Sequence, residues 1–458
     1  MTPPTSTTRG WRQALAVYRS PRVLSMLFLG FSAGLPFYLV YQTLSAWLRQ
    51  AGIARSTIGM LAWVGLISSL KFLWAPVVDR TRLPLLHRLL GRRRSWMLLA
   101  QLGLALGLAN LSLADPTAGV RGLAMWTLFV AFCAATQDVA IDAWRIESAA
   151  IEMQGAMAAA YQIGYRAALI LGSAGALTLA ARLGWHASYA IMTMLVGVGV
   201  LTTLLVREPI LASAPETVAR EQRVILWLEA RAHWPSSLRA AGGWFIGAVI
   251  CPFADFLARY RPPVALLLVA FICSYRLTEY AMGSMANSFY IDHGYTLTQI
   301  ATVVKLYGLP MSMVGVLLGG VLIARWGLVR ALVAGSVLIM ASNLGFAALA
   351  ATPGATLLGL GLVNGLDNVA QGVHGTALIA FLSSLTSARY TATQYALFSS
   401  LFIGSGKLLE GTSGFVVDAI GYHAFFLYTA ALSLPALTLL LAMRARGAHA
   451  IWATPATR

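Results

Sequence analysis

The chain has 458 residues, of which 58% are hydrophobic and only 11% charged, with a mean hydropathy of +0.72. A soluble domain is about one quarter charged, so this composition excludes an ordinary water-soluble enzyme or binding module and points to an integral membrane protein. The net charge of +17 does not argue for nucleic acid, because the arginines fall in short segments between apolar runs, the pattern that orients membrane proteins.

A helix needs ~20 mostly apolar residues to cross the hydrocarbon core. About twelve such stretches follow one another: roughly 23–46, 58–78, 95–113, 122–143, 156–180, 187–206, 264–289, 299–323, 328–350, 355–382, 392–416 and 423–443. The first is too long for a cleaved signal sequence and reads as a span. One long polar interruption, 207–263, divides the set into six and six. The expected fold is therefore all-α and polytopic. A six-helix bundle covers 1–206, a connector 207–263, and a second bundle with a short tail 264–458. Within the connector, Ala241–Cys251 is apolar but short, ending at Pro252, Asp255 and Arg259; it reads as an interfacial helix, with an extra span as the alternative.

Basic residues set the orientation. Arg9, Arg12, Arg19 and Arg22 precede the first span, and Arg80, Arg82, Arg88, Arg92, Arg93 and Arg94 separate the second from the third. The connector, the Arg325–Arg330 loop and Arg444 with Arg446 fall on that same side, against only Arg49, Arg55, Arg121 and Arg182 opposite. Both termini are expected in the cytoplasm. The halves also look related: TQDVAIDA at Thr136–Ala143 aligns with AQGVHGTA at Ala370–Ala377, and the same shift pairs Tyr161 with Tyr395.

Charges inside the spans carry the chemistry, because an ionisable group at bilayer depth costs at least ~2.5–3.5 kcal/mol and needs a partner or a wet cavity. On the first span, Tyr38, Tyr41 and Gln42 follow Pro36, and suit either a sugar site or an interfacial belt. The chain's three lysines, Lys71, Lys305 and Lys407, all lie in predicted spans. On the fourth, Asp138, Asp142 and Arg145 sit at i, i+4 and i+7, one helical face. That face reads as the wall of a solute path or proton relay, or else as an ion-pair cluster that locks packing. Arg166, amid Tyr161, Gln162 and Tyr165, offers a planar fork to a carboxylate or acetamido oxygen. Arg276 and Glu279 are neighbours on a polar seventh span; Lys407 and Glu410 have the same spacing. Asp367, Gln371 and His374 form a second polar stripe on the tenth, suited to proton transfer, though His374 also fits a neutral imidazole bonded to a backbone carbonyl. Cys133, Cys251 and Cys273 have no metal-ligand spacing, and no cofactor or metal is expected. Gly30–Gly34 fits G-x-S-x-G but lies in a span without a preceding strand, and Gly404–Lys407 lacks the full phosphate-loop spacing, so neither an enzyme nor an ATPase is expected.

Gly320–Arg330, GVLIARWGLVR, resembles the loop signature of the major facilitator superfamily, G-x-L-x-D-R-x-G-x-x-R, with Ala324 at the Asp position; the first half carries Asp79-Arg80. The resemblance implies a gate of Asp79, Arg80, Arg325 and Arg330. LGFSAGLPFYL (Leu29–Leu39), LKFLWAPVVDR (Leu70–Arg80), GRRRSWMLLAQL (Gly91–Leu102), ATQDVAIDAWRIE (Ala135–Glu147), GYRAALILGSAGAL (Gly164–Leu177) and ATQYALFSSL (Ala392–Leu401) are similar to the AmpG-type muropeptide permeases. That likeness implies proton-driven import of GlcNAc-anhydro-N-acetylmuramyl peptides across the bacterial inner membrane by alternating access. Proton coupling is then expected among Asp138, Asp142, Glu279, Asp367 and His374. Substrate contacts are expected from Tyr38, Tyr41, Gln42, Lys71, Arg145, Tyr161, Arg166, Lys305 and Gln371. Glu279 stands where an aspartate is expected, and Leu366-Asp367-Asn368 where Glu-Asn is usual. The alternative is another anionic solute, such as acetyl-coenzyme A or an organic acid.

Overall fold

Among the described residues the regular elements are helices. A computed structural model describes residues 16–53, 57, 61, 64, 66–209, 222–260, 262–352, 354 and 356–445. The side chains of Gln42 and Lys305 lie outside the described residues, as do Arg9, Arg12, Arg55 and Arg446. The first bundle contains α1 (Pro21–Gln50), α2 (66–80), α3 (Arg92–Leu113), α4 (Val120–Ser148), α5 (Glu152–Leu183) and α6 (Trp185–Leu205). The second contains α7 (Pro262–Asp292), α8 (Thr298–Trp326), α9 (Leu328–Ala351), α10 (Leu357–Leu385), α11 (391–420) and α12 (422–445).

Glycines turn the corners. Gly184, Gly327 and Gly421 have φ of 84°, 82° and 73°, a left-handed conformation that side chains resist, and they end α5, α8 and α11. The turn at Gly421 therefore separates α11 from α12 within one nearly continuous run. Glycine also lets α1 and α5 touch backbone to backbone: a Cβ on Gly164 would stand 1.8 Å from the Leu27 carbonyl oxygen. Apolarity alone does not find every span. Ten described helices are long and apolar enough to cross a membrane, yet α10, studded with Asn364, Asp367, Asn368, Gln371 and His374, is not among them.

The helix Ser236–Arg259 is one of those ten. Its contacts nonetheless hold it along one face of the bundles. Arg80 at the end of α2 donates to the Trp244 carbonyl (3.5 Å), while Gln394 at the start of α11 donates to the Pro252 carbonyl (2.8 Å). Arg259 donates to the Leu385 carbonyl at the end of α10 (3.0 Å). Trp244 and Arg259 are 15 residues apart, about 22 Å along a helix axis. Both are tied to helix ends on the same side.

The two bundles meet at that side as well. Tyr18 donates to Leu317 O (3.3 Å), Gln162 to Thr376 Oγ1 (2.8 Å) and Arg145 to Ser383 Oγ (2.8 Å). The contacting pairs are α2 with α11, α4 with α11, and α5 with α8 and α10.

Candidate functional site

The closed end is built around Asp79, the last carboxylate of α2. Its Oδ2 accepts from the Thr393 N–H (2.7 Å) and the Thr393 hydroxyl (2.6 Å), and its Oδ1 from the Ala392 N–H (3.0 Å). These amides open α11, where a helix leaves its N–H groups unpaired and its dipole favours an anion. Arg93 backs the carboxylate at 2.7 Å and reaches Glu147 at 2.5 Å, with Arg92 alongside. Burying such charges is offset only when each finds several partners, and each does. Burial pushes the Asp79 carboxyl up, but the Arg93 and Arg92 charges and the Thr393 hydroxyl hold it below the usual carboxylate value.

Just inside this seal, the fourth-span face divides. Asp142 pairs with Arg145 (3.3 Å), and Arg145 also bonds Gln154 (3.0 Å) and lies 5.2 Å above the Tyr395 ring. Arg145 is completely buried. It is therefore part of the inter-bundle seal here, which corrects the expectation that it meets solute in a cavity. Its guanidinium reaches across to α10 and α11, and those residues cover it. Asp138, one turn earlier, does reach open space: a cavity of about 30 Å³ bounded also by Tyr41, Phe37, Ser68 and Tyr165. Tyr161 Oη lies 3.5 Å from its Oδ1, and the charge of the buried Lys71 acts on it. Tyr161 and Tyr395, paired in the sequence repeat, flank the same acidic cluster.

In the second bundle, α7 is interrupted at Arg276 (φ −103°, ψ 8°), so its lower half restarts at Leu277 with Glu279 in the first turn. Broken helices of this kind are typical of sites at mid-membrane. Arg276 pairs with Glu279, whose other oxygen lies 2.5 Å from His374 Nδ1. His374 stacks on Tyr275 with centroids 3.8 Å apart, and Tyr275 donates to the Leu332 carbonyl. The expectation of one functional stripe on α10 is thus corrected: His374 turns to Glu279, while Asp367 and Gln371 bond each other (2.6 Å) and face a separate cavity of about 200 Å³. Glu279 borders that cavity too.

Arg166 faces this group from the first bundle. The charges that bear on it are Arg276, Glu279 and Tyr38. It lies deep between the helices, retains some accessible surface, and has no ion pair or hydrogen bond among the described residues. A guanidinium at such depth favours an anionic neighbour, and here the Glu279 charge acts on it. Lys407 and Glu410, by contrast, pair with each other at 2.7 Å on an exposed surface. Arg330 is exposed, Arg325 half-buried. Sequence reasoning did not single out Glu147, Ser383 or Thr393 as gate residues, since their partners are distant in the chain. It also missed Asn343 and Tyr290 at the larger cavity, which lack charge.

Residues 26–409 match the Major Facilitator Superfamily. The chain belongs to that superfamily. Among similar proteins is the anhydromuropeptide permease of Escherichia coli (strain K12), 33% identical over 94% of this chain and 82% of that protein. Another is putative transporter AmpG 4 of Rickettsia conorii, 30% identical over 93% of this chain and 97% of that one. Within the superfamily it is thus an AmpG-type transporter, a multi-pass membrane protein. The fold agrees with two solved members of the superfamily fold. The E. coli fucose:proton symporter FucP gives a TM-score of 0.64 at 15% identity, covering 94% of this chain and 99% of that one. The proton:xylose symporter XylE gives 0.61 at 11%, covering 95% of each.

Proposed function

We propose that this transporter imports GlcNAc-1,6-anhydro-MurNAc, with or without its stem peptide, from periplasm to cytoplasm together with protons. The observation that carries the reading is Arg166, a cation deep between the bundles with no ion pair or hydrogen bond among the described residues, beside the Arg276–Glu279–His374 group. A muramyl unit carries a carboxyl on its lactyl arm or stem peptide, and a guanidinium fork suits it. The similarity to the E. coli permease supports the sugar class.

Coupling follows from the Arg276–Glu279 pair. A proton on Glu279 cancels the charge that holds Arg276, freeing that guanidinium to join Arg166 around the solute's carboxylate. Loss of the proton lets Glu279 reclaim Arg276 and weakens the solute's hold. Proton and anion then bind together and leave together, as symport requires. Asp138, Asp367 and His374 are the other carriers to be tested. The arginine bias places the Asp79 gate, both termini and the Ser236–Arg259 helix at the cytoplasmic side of the inner membrane. The connector 207–263 joins the bundles 1–206 and 264–458.

The test is uptake of radiolabelled anhydro-disaccharide by proteoliposomes under an imposed pH gradient, with acetyl-coenzyme A and simple organic acids as competitors. Accumulation that collapses with the gradient and resists those competitors is expected. Accumulation indifferent to the gradient rejects proton coupling; displacement by acetyl-coenzyme A alone rejects the sugar substrate.

A further inference from the structure

The larger cavity, between α7, α9 and α10, is lined by carboxamides: Asn287, Asn343, Asn364, Asn368 and Gln371. Its volume of about 200 Å³ equals that of about seven liquid waters, taken at ~30 Å³ each. The two carboxylates at its wall are already occupied. Asp367 accepts from Ser342 (3.1 Å) and Gln371 (2.6 Å), and Glu279 is held by Arg276 and His374. Asn368 donates to Asn364, and Asn364 to Tyr290. Asn343 is different. It is 1% exposed at the cavity edge, and neither its Oδ1 nor its Nδ2 has a hydrogen-bond partner among the described residues. A buried amide left this way is costly, and the group that answers it must both donate and accept.

Neither a carboxylate nor an ammonium does both. A hydroxyl does both at a single oxygen; a secondary amide separates the two roles, its C=O accepting from one carboxamide and its N–H donating to another, and in an acetamido group it carries a methyl besides. Met282, Ile339, Val304 and Ala286 border the same space and suit a small methyl group. We propose that this cavity is the subsite for an acetamido group of the solute, with Asn343 as the residue that sets the preference. The inference rests on the amino-sugar reading above and adds to it a place and a selecting group. It also divides the labour: the arginines answer charge, and the α9–α10 carboxamides answer the N-acetyl group.

The experiment measures equilibrium binding to the full-length protein in nanodiscs, comparing GlcNAc-anhydro-MurNAc with a synthetic counterpart whose acetamido groups are replaced by hydroxyls. Wild type is expected to prefer the acetamido compound by about 10- to 100-fold, the discrimination a site loses when its amides go unanswered. Asn343→Leu is expected to bring the two within about threefold, and a thermal unfolding profile matching that of wild type reports an intact fold. Equal binding of both compounds by wild type overturns the subsite without needing any variant. So does an Asn343→Leu protein that keeps the full preference. If wild type binds neither compound, the amino-sugar reading itself fails, and the subsite falls with it.

Discussion

Asp79 of the first bundle caps α11 of the second, accepting from the backbone N–H groups of both Ala392 (3.0 Å) and Thr393 (2.7 Å). A single carboxylate thereby ties a helix end of one rigid body to the other. Losing one partner of a buried, hydrogen-bonded charge costs about 3–5 kcal/mol, enough to invert a two-state equilibrium. Asp79→Ala should shift the protein toward the state open at this end. Distances between spin labels on the ends of α2 and α11 should lengthen, and an unchanged distribution would show that other contacts hold the gate. Asp79→Asn keeps an acceptor but not the charge, and should fall between.

The same carboxylate should not sense pH in the working range. Its carboxyl is held below the usual value because the Arg93 and Arg92 charges and the Thr393 bond outweigh burial. A lowered folded value means the latch is fully present above the ordinary aspartate value, ~3.9, and fades only as pH falls through the lower one. The spin-label shift caused by Asp79→Ala should therefore be the same at about pH 5.5 and pH 7.5. A latch that weakened over that interval would place proton sensing at the gate instead of at Glu279.

Arg166→Ala should weaken solute binding by about 10- to 100-fold, the loss of one charge-assisted bidentate contact. Because Arg166 bonds nothing among the described residues, thermal stability in detergent should scarcely move. A large stability loss with unaltered affinity would make it a packing residue. Arg166→Lys should restore charge without the planar fork and recover only part of the affinity.

Much of this arrangement was legible in the chain, for identifiable reasons. Twelve apolar runs and one polar gap follow from the thickness of lipid, and the Arg276–Glu279 and Asp142–Arg145 pairs from helical spacing, since both are local. What spacing could not reveal was the partner across the bundles: that Arg145 would be covered by Ser383 and Tyr395, or that His374 would leave its own stripe for Glu279. The Ser236–Arg259 helix is apolar enough to cross and reads from sequence as interfacial, with an extra span as the alternative; bonds from Arg80 and Gln394 tie it to the ends of α2 and α11. Uncharged Asn343 gave no signal because an amide in a span is unremarkable until it is found without a partner.

Glu279→Gln separates binding from coupling. The amide keeps the shape and still accepts a bond from Arg276, but it cannot release a proton, so the side chain imitates the protonated acid. Solute affinity at neutral pH should then match or exceed that of wild type, and its dependence on pH should flatten. Transport against a gradient should disappear while exchange of solute for solute persists, because exchange needs no proton release. Counterflow and pH-driven uptake, measured on the same proteoliposomes, distinguish the cases. If Glu279→Gln still concentrates solute under a pH gradient, the coupling carboxylate lies elsewhere, and Asp138 or Asp367 must be examined by the same pair of assays. If both assays fail while the protein binds solute normally, Glu279 governs the conformational change rather than the proton.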